Sequence, residues 1–187
     1  MQSPFQLLIE TIFDLYIMVI LLRFFLQLFR ADFYNPLSQF VVRATNPVLK
    51  PLRKIIPGLG GIDISSLVFA FIVSLIKLSL LYTILSNTFP SVAQLIIISL
   101  AELLSQTANL LFWLVLVRVL MSWINPGVHN PIVAVIYQLT EPLMAPLRRI
   151  IPPMGGLDLT PIILLLGLRF TLVAINSWFV VPLLQML

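Results

Sequence analysis

Five charged residues lie deep within long apolar stretches, where an ionisable side chain is costly to bury and is a candidate for moving ions or joining helices. They are Asp14, Arg23, Lys77, Arg118 and Arg169. At 1.5 Å per helical residue, Asp14 and Lys77 each lie about 20 Å from the same, cytoplasmic surface of the membrane. We predict that they pair, either to line a polar path or to lock two helices together. Glu10 and Glu102 are expected near the opposite membrane surface, in contact with water.

The three arginines lie closer to the helix ends. Arg23 and Arg118 are each about 10 Å from an end, and Arg169 enters to a similar depth from its own end. Asp63 and Asp158 stand where the following helices should begin, as N-caps favoured by the helix dipole. We predict Arg–Asp pairs within or between repeats. The alternative is that each long arginine side chain extends to the membrane surface, and both readings stay open.

No pattern of enzyme residues accompanies these charges. The chain has no cysteine, which excludes thiolate metal sites and cysteine nucleophiles, and its one histidine, His129, stands in a loop beside Asn130-Pro131. The Gly-Gly pairs lack the fingerprint of a phosphate-binding loop. We therefore expect no enzyme activity, no cofactor and no metal site.

The composition places these residues in a lipid bilayer. Of the 187 residues, 60% are hydrophobic and 10% are charged, too few charges to cover a surface in water. Lipid offers the backbone no hydrogen-bond partners, so this chain should cross the bilayer as helices of about 20 residues each and not as an open sheet. We predict an all-α membrane protein with four spans, and residues 92–104 either extend the third helix, cross or lie at the surface. The spans cover about 5–29, 64–85, 103–124 and 161–184.

Basic residues outside the spans predict the orientation. They are Arg30, Arg43, Lys50, Arg53 and Lys54 between the first two spans, and Arg148 and Arg149 between the last two. The positive-inside rule puts both loops in the cytoplasm and both termini on the outer side of the inner membrane, and it disfavours five spans. The first residues lack a signal-peptide pattern, so we expect them to begin the mature protein. Anionic lipid is the expected partner of these residues, and nucleic acid is not.

One basic phrase occurs twice. PLRKIIPGLGGID, Pro51 to Asp63, returns 95 residues later (146 − 51 = 95) as PLRRIIPPMGGLD. The same shift places Arg23 on Arg118. Each repeat holds two spans, so the two repeats point the same way across the membrane. We predict repeats at 1–90 and 103–187, with 91–102 as a linker or as an extension of the third helix.

Each repeat should carry short amphipathic helices at the cytoplasmic surface. The first begins at Asn35-Pro36, where Asn caps and Pro fits the first turn, and ends near Thr45-Asn46-Pro47. The next segment sets Val48, Leu49, Leu52, Ile55 and Ile56 against Lys50, Arg53 and Lys54, with Arg148 and Arg149 in the second copy. Pro51 and Pro146 should kink it or reduce it to one turn. The Gly-Gly pair then supplies a sharp turn. These basic residues either anchor the topology or bind lipid or a partner specifically.

The two stretches DFYNPLSQFVVRATNPVLKPLRKIIPGLGGIDISS and NPIVAVIYQLTEPLMAPLRRIIPPMGGLDLTP resemble the YggT family of small multi-pass membrane proteins. The resemblance covers nearly the whole chain and implies the two-repeat bacterial form in the cytoplasmic membrane. It implies no assigned molecular activity and no catalytic residues. Relatives are linked to osmotic tolerance, to organelle or cell division, and to cytochrome b6 assembly in plastids.

We therefore expect a non-enzymatic membrane protein that helps to assemble or organise membrane components, with a role in osmotic stress tolerance. It would contact other membrane proteins or further copies of itself. The alternative is a small channel or transporter subunit whose path is lined by the five intramembrane charges. Charges satisfied within one protomer favour the first function, and charges lining the axis of an oligomer favour the second.

Overall fold

The computed structural model describes residues 3–85, 90–124, 130–152 and 158–182. Within these ranges the chain is mostly helical and contains no strand. The helices are α1 (Pro4–Leu28), α2 (Pro36–Ile55), α3 (Ile64–Leu85), α4 (Val92–Ile124), α5 (Pro131–Ile150) and α6 (Thr160–Ile175), and α6 continues into a π-helical turn at Asn176–Val180.

Four of these helices, α1, α3, α4 and α6, are long and apolar enough to cross a membrane. The predicted all-α fold with four spans is thus confirmed. Residues 92–104 extend the third helix, and α4 has 33 residues, a length of about 50 Å. Because the hydrocarbon core is about 30 Å thick, α4 must tilt or project beyond it. Residues 183–184 of the predicted fourth span lie outside the described residues.

Side-chain caps fix where three helices begin. The Ser3 hydroxyl accepts a hydrogen bond from the Gln6 backbone N–H at 3.1 Å. Asn35 and Asn130 likewise cap α2 and α5, and proline follows all three caps. A cap oxygen satisfies an N–H that the first helical turn leaves open, and proline in that turn has no N–H to satisfy. The starts predicted at the two Asn-Pro pairs therefore agree with the structure.

The predicted end of the first amphipathic helix is wrong. α2 does not stop near Thr45 but continues through Pro47 and Pro51 to Ile55. α5 does the same through its own two internal prolines. Each repeat therefore has one amphipathic helix of 20 residues on the side of the bundle that we call the α2/α5 side.

Side chains of α1 bond α2 beside its first internal proline. Pro47 removes one backbone hydrogen bond, the one to the carbonyl of Arg43, and crowds the preceding turn. Arg23 of α1 donates to the carbonyl of Val42 at 3.2 Å, and the Tyr16 hydroxyl donates to the carbonyl of Ala44 at 3.5 Å. These bonds hold the carbonyls on either side of the one that Pro47 leaves open, a tertiary support that local sequence could not reveal.

The bundle is built from two helix pairs. α1 packs against α3 in the first repeat and α4 against α6 in the second, and α4 also contacts α1, α3 and α5. The contact between α3 and α4 has no equally extensive counterpart between α1 and α6. On the α2/α5 side the repeats are joined where the Asn35 amide donates to the carbonyl of Pro131 at 2.5 Å. The largest core cluster centres on α1, with Ile17, Ile20, Leu21 and Leu26.

A glycine turn returns the chain from α2 to the membrane. Gly60 and Gly61 have φ of 59° and 89°, in the left-handed region that residues other than glycine rarely adopt. This turn delivers Asp63 to the start of α3. The equivalent Gly155-Gly156 and the lone His129 lie outside the described residues.

Candidate functional site

A buried ion cluster joins three of the spans. Lys77, in the middle of α3, is 3% exposed. Its ammonium donates to Asp14 of α1 at 2.6 Å and to the carboxylate of Glu102 on α4. The Ser74 hydroxyl, one turn earlier on α3, also donates to Glu102, at 3.0 Å. The structure thus brings the predicted pair together and adds a second carboxylate to it.

Glu102 does not stand at the start of its helix, where the predicted span put it. α4 begins at Val92, so Glu102 lies ten residues, or about 15 Å, inside the helix, and its contact with water stays a prediction. The apolar residues before it were ambiguous in sequence, and assigning them to the third helix would have placed Glu102 at the depth of Lys77. Glu10 accepts a hydrogen bond from the Gln6 side chain at 3.0 Å and lies near the same cluster.

The cluster lies in the wall of a cavity of about 620 Å³ between α1, α3, α4 and α6. The polar side chains that matter most for its chemistry are Glu10, Asp14, Lys77, Glu102, Asn109 and Asn176. The rest of the lining consists of leucine, isoleucine and valine side chains together with Gln6, Tyr82, Ser105 and Gln106. The cavity therefore combines several hydrogen-bonding groups with apolar walls inside the membrane-spanning bundle.

Equivalent positions of the two repeats meet at this cavity. Asp14 corresponds to Asn109 (14 + 95) and Lys77 to Leu172 (77 + 95), and all four line it. The cavity therefore lies between the repeats, close to the axis that relates them. The second repeat builds the same helices with a neutral amide and a leucine, so the helices do not require the charges. The Asp14–Lys77 pair is a feature of the first repeat alone, and Glu102 joins it from α4 of the second repeat.

A second network lies on the α2/α5 side of the first repeat. Asp63 is 1% exposed, accepts two hydrogen bonds from Arg53, and accepts another from the Ser66 hydroxyl at 2.5 Å. Arg23 lies 4.0 Å from Asp63, as an Arg–Asp ion pair, and donates to the Thr45 hydroxyl at 2.7 Å. One buried carboxylate thus connects α1, α2 and α3.

The second repeat builds a related network. Arg118 donates to the Thr140 hydroxyl at 2.9 Å and to Glu141 at 2.6 Å. Arg148 donates to Glu141 at 2.5 Å and to Asp158 at 2.9 Å. The Arg118 guanidinium also lies over the ring of Tyr137, 4.3 Å from its centroid. The equivalent residues Arg23, Thr45, Arg53 and Asp63 occupy the same roles in the first repeat.

In the described residues Arg118 pairs with a glutamate, and the Arg–Asp pair of this repeat is made by Arg148 with Asp158. Glu141 is this glutamate and binds Arg118 on one side and Arg148 on the other. The first repeat has Asn46 at this position, and the Asn46 side chain accepts from Arg23 at 2.9 Å. Sequence reasoning missed Glu141, although an acid inside an otherwise basic phrase was a usable signal.

The five basic residues predicted to bind lipid or a partner divide into two groups. Arg53 and Arg148 turn back into the ion networks. Lys50, Lys54 and Arg149 are exposed. Binding of lipid headgroups stays a prediction, and these three exposed side chains are the ones free to make it directly.

The carboxylates on the α2/α5 side have lowered pKa values. Burial raises the pKa of Asp63, but hydrogen bonds from Arg53 and Ser66 outweigh it and hold the pKa below its usual range. Burial likewise raises the pKa of Glu141 and Asp158, and hydrogen bonds from arginines or from the α6 N-terminus again prevail. Asp158 accepts from the Thr160 backbone N–H at 2.9 Å, one residue before Leu159, which is the N-cap of α6.

These lowered values predict a loss of stability in acid. A carboxylate whose pKa is lower in the folded state stabilises the fold above its unfolded value of about 4, and this is lost as pH falls through the folded value. The unfolding temperature in detergent should therefore be flat from pH 7 to 5 and fall below about pH 4. The variant Glu141→Gln/Asp158→Asn should start lower at pH 7 and fall less, and an equal fall would contradict the assignment.

Arg169 differs from the other intramembrane charges. It lies nine residues after the start of α6, about 14 Å along the span and near the middle of the bilayer. Its side chain is exposed, and its guanidinium carbon is 5.8 Å from the centroid of the Phe112 ring. No carboxylate of the described ranges pairs with it. The exposed side chains of Leu166 and Phe170 flank it on the surface of α6.

The five predicted intramembrane charges therefore do not line one path. Arg23 and Arg118 belong to the two networks on the α2/α5 side. Asp14 and Lys77 line the cavity between the repeats. Arg169 lies on the outer surface of the bundle.

Four membrane-length helices in two repeats, with an ion cluster between them, define a multi-pass helical membrane protein. The chain belongs to the CCB3/YggT family, whose sequence model matches residues 2–85 and again 97–179. The double match confirms both the tandem repeat and the resemblance read from the sequence.

Similar proteins occur in several bacteria. An uncharacterised protein encoded in the proC 3′ region of Vibrio alginolyticus is 50% identical over 90% of this chain and 91% of its own. The uncharacterised protein YggT of Escherichia coli K12 is 45% identical over 85% of this chain and 82% of its own. An uncharacterised protein of Pseudomonas aeruginosa is 44% identical over 86% and 82%. No solved structure matches the chain.

Proposed function

We propose that this protein is a non-enzymatic organiser of the membrane that docks other membrane proteins against α6 and so assists their assembly. The observation that carries the proposal is Arg169, a cation exposed at mid-depth on a span. The other charged side chains of the described spans all have partners within the protomer. Arg169 is the one whose partner must come from outside.

The energy of an exposed arginine supports this proposal. A charged side chain at the centre of a membrane helix costs about 3 kcal/mol or more, and such residues usually face protein or water. Arg169 could lower this cost by extending toward the α2/α5 surface, but it must still cross about 14 Å of hydrocarbon to reach it. A carboxylate on a neighbouring helix would pair with the Arg169 guanidinium and so remove the cost of an unpaired charge in hydrocarbon.

The surface around Arg169 indicates the chemistry of the partner. Leu166 and Phe170 are exposed apolar side chains, and no atom lies within 4 Å of the place where a Cβ on Gly167 would stand. Small residues let two helices approach closely in a membrane. The partner is therefore a transmembrane helix with an aspartate or glutamate at the depth of Arg169. We name the surface formed by Leu166, Gly167, Arg169 and Phe170 the Arg169 surface.

The proposal includes the cellular setting. Lys50, Lys54 and Arg149 are exposed on the α2/α5 side, which supports a cytoplasmic location for that side by the positive-inside rule. The inner membrane is the setting that this orientation implies. A role in osmotic stress tolerance follows from the family resemblance and belongs to the proposal as the growth condition to test.

Photo-crosslinking in living cells tests the proposal. A photoreactive amino acid replaces Phe170 on the Arg169 surface, and a matched probe replaces Leu15, an exposed residue of the α1 span. Cells are irradiated at low and high osmolarity, and the adducts are identified by mass spectrometry. We expect a membrane protein with an intramembrane carboxylate to crosslink at position 170 and not at position 15, and Arg169→Gln should reduce that adduct at least fivefold.

Two outcomes would contradict the proposal. The same set of abundant proteins at both positions would mean that α6 faces lipid without a specific partner. Adducts to the same chain alone would replace assembly by self-association. The channel alternative gains less support from the geometry, because the charges expected to line its path lie in three separate places.

A further inference from the structure

We infer that a helix of another membrane protein docks on α6 in the way that α4 docks on α3, with its carboxylate in the role of Glu102. The inference rests on the proposed docking at α6, and it adds the face of α6 and the pose of the partner helix. α3 and α6 are equivalent helices of the two repeats, and α3 is covered by a further span, α4. In the part of the chain that the structure describes, no span packs as extensively on the corresponding face of α6.

The contact between α3 and α4 shows which face of the helix is used. Ser74 of α3 is buried, and its hydroxyl donates to the carboxylate of Glu102 on α4 at 3.0 Å. One turn further along α3, Leu78 forms a buried apolar cluster with Leu95 and Ile98 of α4. One carboxylate and the apolar residues before it therefore hold α4 in place.

The same face of α6 is exposed. The shift of 95 residues places Arg169 at the position of Ser74 and Val173 at the position of Leu78. Leu78 is 7% exposed beneath α4, whereas Val173 is 58% exposed, and Phe170 beside Arg169 is exposed as well. We call Arg169, Phe170 and Val173 the α4-type face of α6. A second helix covers this face in the first repeat, so the fold accommodates a helix there.

Charge complementarity specifies the carboxylate of the partner. In the first repeat Glu102 receives a hydrogen bond from Ser74 and an ion pair from Lys77. In the second repeat Leu172 stands at the position of the lysine, and the cation is Arg169, three residues earlier (172 − 169 = 3). Residues three apart on a helix are neighbours on one face. α6 thus keeps one positive charge close to the place where a docked carboxylate would lie.

A second copy of this chain does not offer the required helix. The helix equivalent to α4 is α1, and α1 carries Leu7 at the position of Glu102. The two acids of α1, Glu10 and Asp14, have partners within their own protomer. A leucine cannot pair with Arg169. The carboxylate therefore comes from a different membrane protein.

Photo-crosslinking along α6 in living cells tests the inference. A photoreactive amino acid replaces Val173 on the α4-type face or, as the control, Thr171. Thr171 is an exposed residue of α6 at the position of Ile76, which α4 leaves exposed on α3. We expect the protein that is captured at position 170 to be captured at position 173 as well, with at least fivefold less adduct at position 171.

The sequence of the captured protein supplies a second readout. Ile98 and Leu95 precede Glu102 by four and seven residues (102 − 98 and 102 − 95). The site attached to position 173 should lie at a similar distance before an aspartate or glutamate of a membrane helix. Arg169→Glu should reduce the adduct at least fivefold, and placing arginine at that acid of the partner should restore it. Arg149→Glu, at an exposed arginine outside α6, should leave the adduct unchanged.

The outcomes separate this inference from the proposed function. Capture of one protein at positions 170 and 171 without capture at 173 would overturn the inference and leave the docking at α6 standing, because the partner would lie on another face. An adduct that the exchanged charges do not restore would overturn the ion pair on which the pose depends. Capture of no specific protein at any of the three positions would overturn both.

Discussion

Replacing Lys77 by leucine should destabilise the protein by about 3 kcal/mol, the low end of the range for removing one partner of a buried ion pair. The change leaves the Asp14 and Glu102 carboxylates without the ammonium that they share. Both carboxylates are partly exposed to solvent, which limits the loss of stability. Unfolding by a denaturing detergent, followed by tryptophan fluorescence in mixed micelles, would measure it.

The chain supplies a matched rescue for this variant. The second repeat and the start of α1 carry Asn109, Leu172 and Leu7 at the positions equivalent to Asp14, Lys77 and Glu102. Asp14→Asn/Lys77→Leu/Glu102→Leu should therefore recover most of the loss, since apolar replacement of a whole buried ion cluster is often neutral. Lys54→Leu, the same change at an exposed lysine, should stay within about 0.5 kcal/mol. A triple variant less stable than Lys77→Leu would contradict this account.

Replacing Arg53 by leucine should cost about 2 kcal/mol, whereas Arg148→Leu, at the equivalent position, should cost about 1 kcal/mol or less. The difference follows from burial. Asp63 is 1% exposed and would keep only the more distant Arg23 as an ionic partner. The side chains of Glu141 and Asp158 are 43% and 33% exposed, so water can replace Arg148 there.

The same unfolding assay would compare the two variants side by side. Arg149→Leu, at an exposed arginine next to Arg148, controls for the loss of charge on that side of the membrane. Adding Asp63→Asn to Arg53→Leu should recover part of the loss, because the unpaired buried charge is removed. Equal costs at the two positions would mean that burial of the carboxylate does not set the strength of these networks.

The four spans and the tandem repeat followed from the sequence because lipid imposes strong constraints. A membrane helix needs about 20 apolar residues. The motif that occurs twice fixes the shift of 95 residues that aligns one repeat with the other. The cap residues Asn35 and Asn130 were predictable for a similar reason, since each acts on a backbone group two residues away.

Features that depend on contacts between distant segments were not predictable. α2 continues past Pro47, where side chains of α1 bond the carbonyls of Val42 and Ala44, whereas the Pro-containing segment alone predicts a stop. Glu141 and Glu102 acquire their arginine and lysine partners only when helices pack. The cavity requires four helices at once, and its relation to the repeat becomes visible only when Asp14 and Asn109 are both found in its lining.

The two repeats have the same arrangement of helices but differ in where they carry charged side chains. On the α2/α5 side both keep an arginine on a span, a threonine on the amphipathic helix, and a second arginine with an aspartate. In the cavity the first repeat alone supplies Asp14 and Lys77. The shared residues therefore serve the fold, and the residues that differ are the better candidates for a specific activity.

If α6 meets a membrane partner through Arg169, the size of the complex that this chain forms should depend on that residue. The complex is measured in membranes extracted with a mild detergent, by native electrophoresis with an immunoblot. We expect the unaltered chain and Arg149→Leu to migrate in a complex larger than the protomer, and Arg169→Leu to run as the protomer. Identical migration of all three would contradict this docking.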